Sequence, residues 1–122
     1  MGIRFLKVAV VYFVIAIILG IIMGIQHDFK LSSVHAHLNL LGWVSMALFG
    51  TIYYLFPAAG NSRLASTHFW LHNIGIPVMQ GGISLSILTK NEVFTSFAIV
   101  GSLVVVLGGI LFLINVFKNV KS

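Results

Sequence analysis

The sequence predicts an all-α fold, a polytopic membrane protein in which residues 1–122 form a single four-helix transmembrane bundle. Of the 122 residues, 59% are hydrophobic and only 7% are charged, whereas a soluble domain carries about 25% charged residues. Apolar stretches at residues 5–26, 34–57, 67–89 and 93–117 each contain the roughly 20 residues that a helix needs to cross a bilayer. Lipid offers no hydrogen-bond partner to isolated strands, so the spanning segments must be helices.

The first span, residues 5–26, follows Arg4 and Lys7, so a cleaved signal peptide has to be considered. Its apolar run is longer than a typical signal-peptide core, and no A-x-A-like cleavage site follows it. We therefore expect a retained first helix. The chain has no cysteine, which excludes disulfides and thiolate metal sites.

Charged residues predict the orientation of the chain. With the N-terminus inside, the inner side holds five of the seven cations, and the outer side holds two cations beside the only two acids. The positive-inside rule then puts both termini in the cytoplasm, and we expect a prokaryotic inner membrane. The net positive charge suits anionic lipids, and no basic patch indicates a nucleic-acid partner. The inner cations are Arg4, Lys7, Arg63, Lys118 and Lys121, and the outer charges are Lys30, Lys90, Asp28 and Glu92.

The first and fourth spans consist mainly of Val, Ile, Leu and Phe, and we expect them to be plain lipid-facing scaffold. The fourth span carries Gly101, Gly108 and Gly109, which favour close packing against another helix.

All five histidines lie in or beside the predicted helices. His27 follows the first span, His35 and His37 begin the second, and His68 and His72 begin the third. A polar side chain inside a membrane is costly and usually functional. The histidines are therefore the first candidates for a site.

The helical wheel separates the two histidines of the second span. At 100° per residue, His35 shares a small-residue face with Gly42 and Met46, which we expect to line the interior. His37 points the other way, towards a leucine-rich face. Trp43 is expected either to pack on a porphyrin edge or to belong to the interfacial aromatic belt.

A histidine, a glycine seven positions later and a methionine eleven positions later occur in both the second and the third spans. A glycine two turns from an axial histidine would let a flat porphyrin lie against the backbone. Coincidence in an apolar, glycine-containing chain is the competing interpretation. The two sets are His35, Gly42 and Met46, and His68, Gly75 and Met79; His72 lies one turn after His68 on the same face.

Residues 35–43 (HAHLNLLGW) and 53–57 (YYLFP) resemble helix two of the catalytic subunit of the haem–copper oxidase superfamily. The closest likeness is to the subunit I-like proteins of nitric oxide reductases and cytochrome c oxidases. Residues 68–75 (HFWLHNIG) resemble helix three of the same proteins. The resemblance implies that His35 is an axial ligand of haem b. It also implies electron transfer, or a redox or gas-ligand role, with a quinol or respiratory electron-transfer partner.

The catalytic subunit of that family contains many more helices than the four predicted here. The second low-spin haem ligand and the copper ligands belong to those later helices. We therefore do not expect this chain alone to reduce oxygen or nitric oxide, and the resemblance leaves a haem-b-binding four-helix module.

Antiparallel second and third spans would place His35 and His72 at depths that differ by roughly 25 Å, given about 1.5 Å of rise per residue. Axial nitrogens of one haem lie only about 4 Å apart, if iron–nitrogen bonds resemble zinc–nitrogen bonds. Three arrangements stay open. His35 pairs with its mate in a homo-oligomer, most simply a dimer; His27 or His37 supplies the sixth ligand; or a second haem binds to His68 or His72.

Two other functions remain as alternatives. A copper or zinc site would make the chain a metal-binding or assembly factor, because imidazole suits both metals. A non-catalytic scaffold subunit would need no cofactor. The metal site could use the outer cluster of His27, Asp28, His35 and His37, or the i, i+4 pair His68 and His72.

Overall fold

The computed structural model describes all 122 residues of the chain and contains no strand. The all-α prediction is confirmed. Four long helices and one short helix follow one another along the chain. They are α1 (Gly2–Gln26), α2 (Ser32–Leu55), α3 (Pro57–Gly60), α4 (Arg63–Thr89) and α5 (Val93–Asn119).

Three helices, α1, α2 and α5, are long and apolar enough to cross a membrane. The chain is therefore an integral membrane protein, as predicted. Helix α4 is as long as α5, with 27 residues, but it is less apolar and has nine buried residues where α5 has four. Three of its polar side chains, His68, His72 and Gln80, are buried against protein, which explains how a helix of lower hydropathy belongs to this bundle. The fourth crossing stays a prediction.

Among the helix boundaries that differ from the predicted ones, two have clear local reasons. Helix α2 ends before Pro57, because the ring of a proline drives the preceding residue, here Phe56, out of the helical region. Helix α4 begins at Arg63, earlier than predicted. Ser62 caps it, since its Oγ accepts a hydrogen bond from the backbone N–H of Ala65 at 3.1 Å.

The middle of α2 is a π-helix, from Leu38 to Val44. Such wide turns are rare and often mark functional sites. Here the wide turn overlaps residues 35–43, the segment that resembles the oxidase subunit. The backbone N–H of Ser45 and its Oγ both donate to the carbonyl of Leu40, the Oγ at 2.6 Å.

Glycines bring α1 and α2 together. A Cβ on Gly42 would come within 2.9 Å of the Tyr12 ring, and a Cβ on Gly2 would come within 2.7 Å of the carbonyl oxygen of Gly50. These positions hold no side chain, so a ring or a backbone from the other helix takes the space.

Helices α4 and α5 approach even more closely. Gly101 lies directly against the backbone of Met79, and Gly108 lies against Leu71. The close packing predicted for these two glycines is confirmed. Gly109 has nothing within 4 Å of its Cβ position, so it takes no part in this interface.

Candidate functional site

His68 lies at the centre of the bundle and is fully buried. Its ring centroid is 4.6 Å from Phe49, 5.0 Å from Phe5 and 5.3 Å from Phe112. These aromatic side chains come from α2, α1 and α5, so the imidazole is where all four long helices meet. A polar ring in such surroundings needs hydrogen-bond partners.

One nitrogen of His68 has a partner and the other has none. The hydroxyl of Tyr53 lies 2.9 Å from Nδ1. Tyrosine can donate or accept in this bond, because the proton can sit on either ring nitrogen. In both cases Nε2 is left buried and unpartnered.

His72, one turn along α4, shows the same asymmetry. Its Nε2 lies 2.9 Å from the carbonyl oxygen of Leu41. A carbonyl only accepts, so Nε2 donates and the lone pair of the neutral imidazole is on Nδ1. That Nδ1 is buried without a partner. The acceptor belongs to the π-helical segment of α2.

The imidazoles of His68 and His72 form a pair, with ring centroids 5.7 Å apart. In each, a hydrogen bond to the protein fixes one nitrogen and leaves the other free. Metal-ligating histidines are held in this way. However, the chain has no group of three or more His, Cys, Asp or Glu side chains that could hold a metal ion.

Tyr53 and His68 belong to a larger buried polar network built on Asn115 of α5. The Asn115 amide donates to the Tyr53 hydroxyl at 3.4 Å and to the carbonyl of Ala59 at 3.1 Å. Its oxygen accepts from Asn119 Nδ2 at 2.6 Å and from a serine hydroxyl of the α3–α4 link. The fourth span was expected to be plain scaffold, and at this end that expectation is wrong. A lone amide inside an apolar run is the signal that marks the position.

His35 lies over Gly20 of α1. A Cβ on Gly20 would be 2.8 Å from Cε1 of the imidazole, so the missing side chain makes room for the ring. Nδ1 of His35 is buried without a partner. Nε2 lies 3.5 Å from the amide nitrogen of Asn39, which donates a shorter bond of 2.9 Å to the His35 carbonyl. Packing, rather than a strong hydrogen bond, holds this ring.

The two other histidines near this end differ from each other. His37 is partly buried, and its Nδ1 also has no partner. His27 is exposed and ends α1 in the left-handed conformation, with φ 49°. The structure therefore does not assemble the predicted outer cluster of histidines into a metal site.

The remaining predicted site residues contact neighbouring helices. Val105 occupies the space that a Cβ on Gly75 would fill. Tyr12 occupies the corresponding space beside Gly42. Trp43 packs edge-on against Phe13 at 4.9 Å, and Met46 is fully buried. Within one chain, both glycines thus serve helix packing.

The depth predicted for the histidines needs correction. His72 binds the carbonyl of Leu41, which follows His35 by six residues, or about 9 Å of helix. The predicted 25 Å is wrong, in part because α4 begins at Arg63 rather than at residue 67, which adds about 6 Å of helix before His72. The two rings still face different neighbours, since His35 lies against Gly20.

Three cavities, of about 220, 290 and 300 Å³, open on the surface of the chain. None of them is lined by a histidine. Ligand pockets span roughly 300–1,000 Å³, so a single chain has no ready space for a large flat cofactor beside any imidazole.

Comparison with known proteins relates the sequence of this chain to respiratory oxidases. The family model described as "Cytochrome C and Quinol oxidase polypeptide I" matches residues 25–89, a stretch that includes all five histidines. A "Cytochrome c oxidase subunit 1 homolog" of Agrobacterium tumefaciens is 38% identical over 88 residues, covering 62% of this chain and 16% of the relative.

Two further relatives have similar names. The "Cbb3-type cytochrome c oxidase subunit CcoN1" of Stutzerimonas stutzeri is 34% identical, covering 59% of this chain and 18% of its own length. A bacteroid "Cytochrome c oxidase subunit 1 homolog" of Bradyrhizobium diazoefficiens is 28% identical, covering 82% of this chain and 20% of its own length. The chain thus spans a fifth or less of these relatives. No solved structure gives a significant match.

Proposed function

The chain belongs to the family of cytochrome c and quinol oxidase polypeptide I, and from this premise we propose that it binds haem b in the membrane and serves electron transfer related to respiratory oxidases. The proposed axial ligand is His35, the position that the resemblance to helix two assigns. The observation that carries the proposal is the state of its imidazole: Nδ1 is buried without a partner, and Nε2 has only the amide of Asn39 at 3.5 Å.

The donor chemistry of His35 fits a haem, because histidine is a common axial ligand of haem iron and this imidazole has a ring nitrogen without a hydrogen-bond partner. The space within one chain is less suitable, since no cavity adjoins the ring. His35 is only partly buried, so a cofactor could reach it from the side of the bundle. Bound haem would supply one-electron chemistry, and His35 and Asn39 would hold and orient it.

A second copy of the chain would complete such a site. We favour a homodimer, in which a cofactor at the side of one bundle is covered by the other. Twofold dimers are the commonest oligomers, and they would place two His35 side chains at equal depth. Alternatively, His27 or His37 of the same chain would supply the sixth ligand of the haem iron.

The location proposed is the cytoplasmic membrane of a prokaryote, with both termini inside. Its redox partner would be a quinol or a respiratory electron-transfer protein. Membrane-spanning helices and bacterial oxidase relatives support this location.

A copper site at His68 and His72 is a second candidate. The supporting observation is that each imidazole has one fixed nitrogen and one free, buried nitrogen. In that case the chain would carry copper or assist in its assembly. A second haem on one of these histidines would need the aromatic cluster to open.

Purification from membranes in mild detergent tests these proposals together. Haem b would give a red preparation with a reduced b-type spectrum and about one haem per protein or per dimer. Metal analysis of the same sample separates copper or zinc from iron. A colourless, metal-free, folded protein would contradict both proposals and favour a scaffold subunit.

A further inference from the structure

A groove of about 220 Å³ lies at the end of the bundle where α1 is linked to α2. Its walls are aliphatic, with Leu19 and Ile22 from α1, Leu31 from the link and Leu88 from α4. Asp28 and Lys30 of the link, with the uncharged Gln26 at the end of α1, form its polar side. The groove lies away from the buried histidine pair and contains no histidine; of the residues named as candidates for a metal site, it shares only Asp28.

The position of these groups matches a bilayer boundary. Leu88 is one residue from the end of α4, and Asp28 and Lys30 lie just beyond the end of α1. Aliphatic side chains therefore face the hydrocarbon, and the charges lie at the level of the lipid headgroups. A ligand of this groove should itself be amphipathic.

The polar side of the groove carries one charge of each sign. Asp28 Oδ2 and Lys30 Nζ are 3.2 Å apart, and both side chains remain accessible, at 42% and 54% exposure. The backbone N–H of Lys30 donates to Asp28 Oδ1, and this bond, with the ammonium, holds the pKa of Asp28 below its usual range. Asp28 is thus an anion at neutral pH.

We propose that this groove binds a phospholipid whose zwitterionic headgroup ends in a primary amine, namely phosphatidylethanolamine. The ammonium of Lys30 pairs with the lipid phosphate, and the carboxylate of Asp28 accepts hydrogen bonds from the lipid ammonium. One acyl chain lies along the aliphatic wall. The two opposite charges in the groove match the two charges of the headgroup in number and sign.

The same geometry discriminates against other common lipids. A choline headgroup has no N–H to donate to Asp28. Phosphatidylglycerol has no cation for the carboxylate, which would instead face a phosphate of like charge. The net positive charge of the chain attracts anionic lipid without regard to headgroup shape, so preference for an amine headgroup is the distinguishing property.

Native mass spectrometry of the intact chain, with equal amounts of the three lipids bearing identical acyl chains, tests the proposal. We expect phosphatidylethanolamine adducts to exceed phosphatidylcholine adducts by roughly fourfold, the ratio typical of one exposed charge pair. Asp28→Asn should bring that ratio to about one, since it removes the charge that selects the amine. Lys30→Gln should reduce the phosphatidylethanolamine and the phosphatidylcholine adducts alike, because both lipids carry the phosphate that pairs with Lys30.

Two matched controls lie at the same end of the bundle. Lys90→Gln and Glu92→Gln remove exposed charges that do not line the groove, and they should leave the ratio unchanged. Leu88→Trp should lower all adducts by filling the groove, with helix content measured to confirm folding. Equal adducts in the unchanged chain, or a control variant acting as strongly as Asp28→Asn, would overturn the proposal.

Discussion

The hydroxyl of Tyr53 and Nδ1 of His68 lie 2.9 Å apart in the fully buried centre of the bundle. This bond joins α2 to α4, and the amide of Asn115 extends it to α5. The polar groups meet in an aromatic cluster that gives water no access. The bond therefore affects both the stability of the bundle and the orientation of a histidine whose other nitrogen is free.

Tyr53→Phe should destabilise the protein by about 1–3 kcal/mol, because it leaves the buried Nδ1 of His68 without its partner and removes one of the two acceptors of the Asn115 amide. Unfolding of the detergent-solubilised chain by a denaturing detergent measures the change. Tyr54→Phe is the matched control, since that side chain is 65% exposed, and it should change little. Equal losses in both variants would show that the network contributes no stability.

Gly101→Ala should destabilise the bundle by about 1–3 kcal/mol, as overpacking of a well-packed core does. The new Cβ meets the backbone of Met79, which cannot turn aside as a flexible side chain would. Gly109→Ala, on the same helix, should be neutral or slightly stabilising, because its Cβ meets nothing within 4 Å. Thermal unfolding of both variants gives the comparison, and a smaller effect at Gly101 would contradict the observed interface.

The sequence predicted the helices well because lipid leaves the backbone few choices, and the apolar runs show where each helix lies. The sequence also predicted correctly that Gly101 lies at a helix interface. A small residue within a membrane span indicates close packing even when the partner helix is not known. No local sequence pattern indicated the π-helix of Leu38–Val44, and the bond from His72 to its Leu41 carbonyl joins residues 31 positions apart in the chain.

The network around Asn115 was missed for a related reason. Tyr53 and Asn115 are 62 positions apart in the chain, and no local pattern pairs them. Periodicity predicted which residues share a face with His35, but it could not predict the residue of α1 that lies against the ring. Gly20 appears in the sequence as one small residue in an apolar span, and only the packed structure shows an imidazole lying over it.

The topology prediction can be tested with reporter fusions after residues 30, 62 and 122. They should report outside, inside and inside, because the cations concentrate on one side of the four predicted spans. This result requires α4 to cross the membrane despite its lower hydropathy. A C-terminus outside would mean that α4 does not span, and the charge argument would then fail.

Gly20→Ala should lower the haem bound per protein if His35 is an axial ligand. The added Cβ would come within 2.8 Å of Cε1 of the imidazole and would displace the ring from its present position. Gly24→Ala, one turn further along α1, is the matched control, because its Cβ meets nothing within 4 Å. Haem content unchanged in both variants, with normal helix content, would separate His35 from the cofactor.

His35→Ala should abolish haem binding, whereas His37→Ala should retain it. His35 lies against α1 on the face it shares with Gly42, and it holds the position that corresponds to the axial ligand. Removing a ligand deletes a bond to iron and leaves a hole beside it, so the expected loss is nearly complete. His37 also has a buried, unpartnered Nδ1, which makes it the strictest available control. The measurement is haem per protein after purification, with helix content checked in each variant.

Loss of haem in His37→Ala alone would reverse the assignment of the two faces. Loss in both would indicate a site that uses both imidazoles, and retention in both would move the cofactor to His68 or His72 or remove it from the histidines altogether.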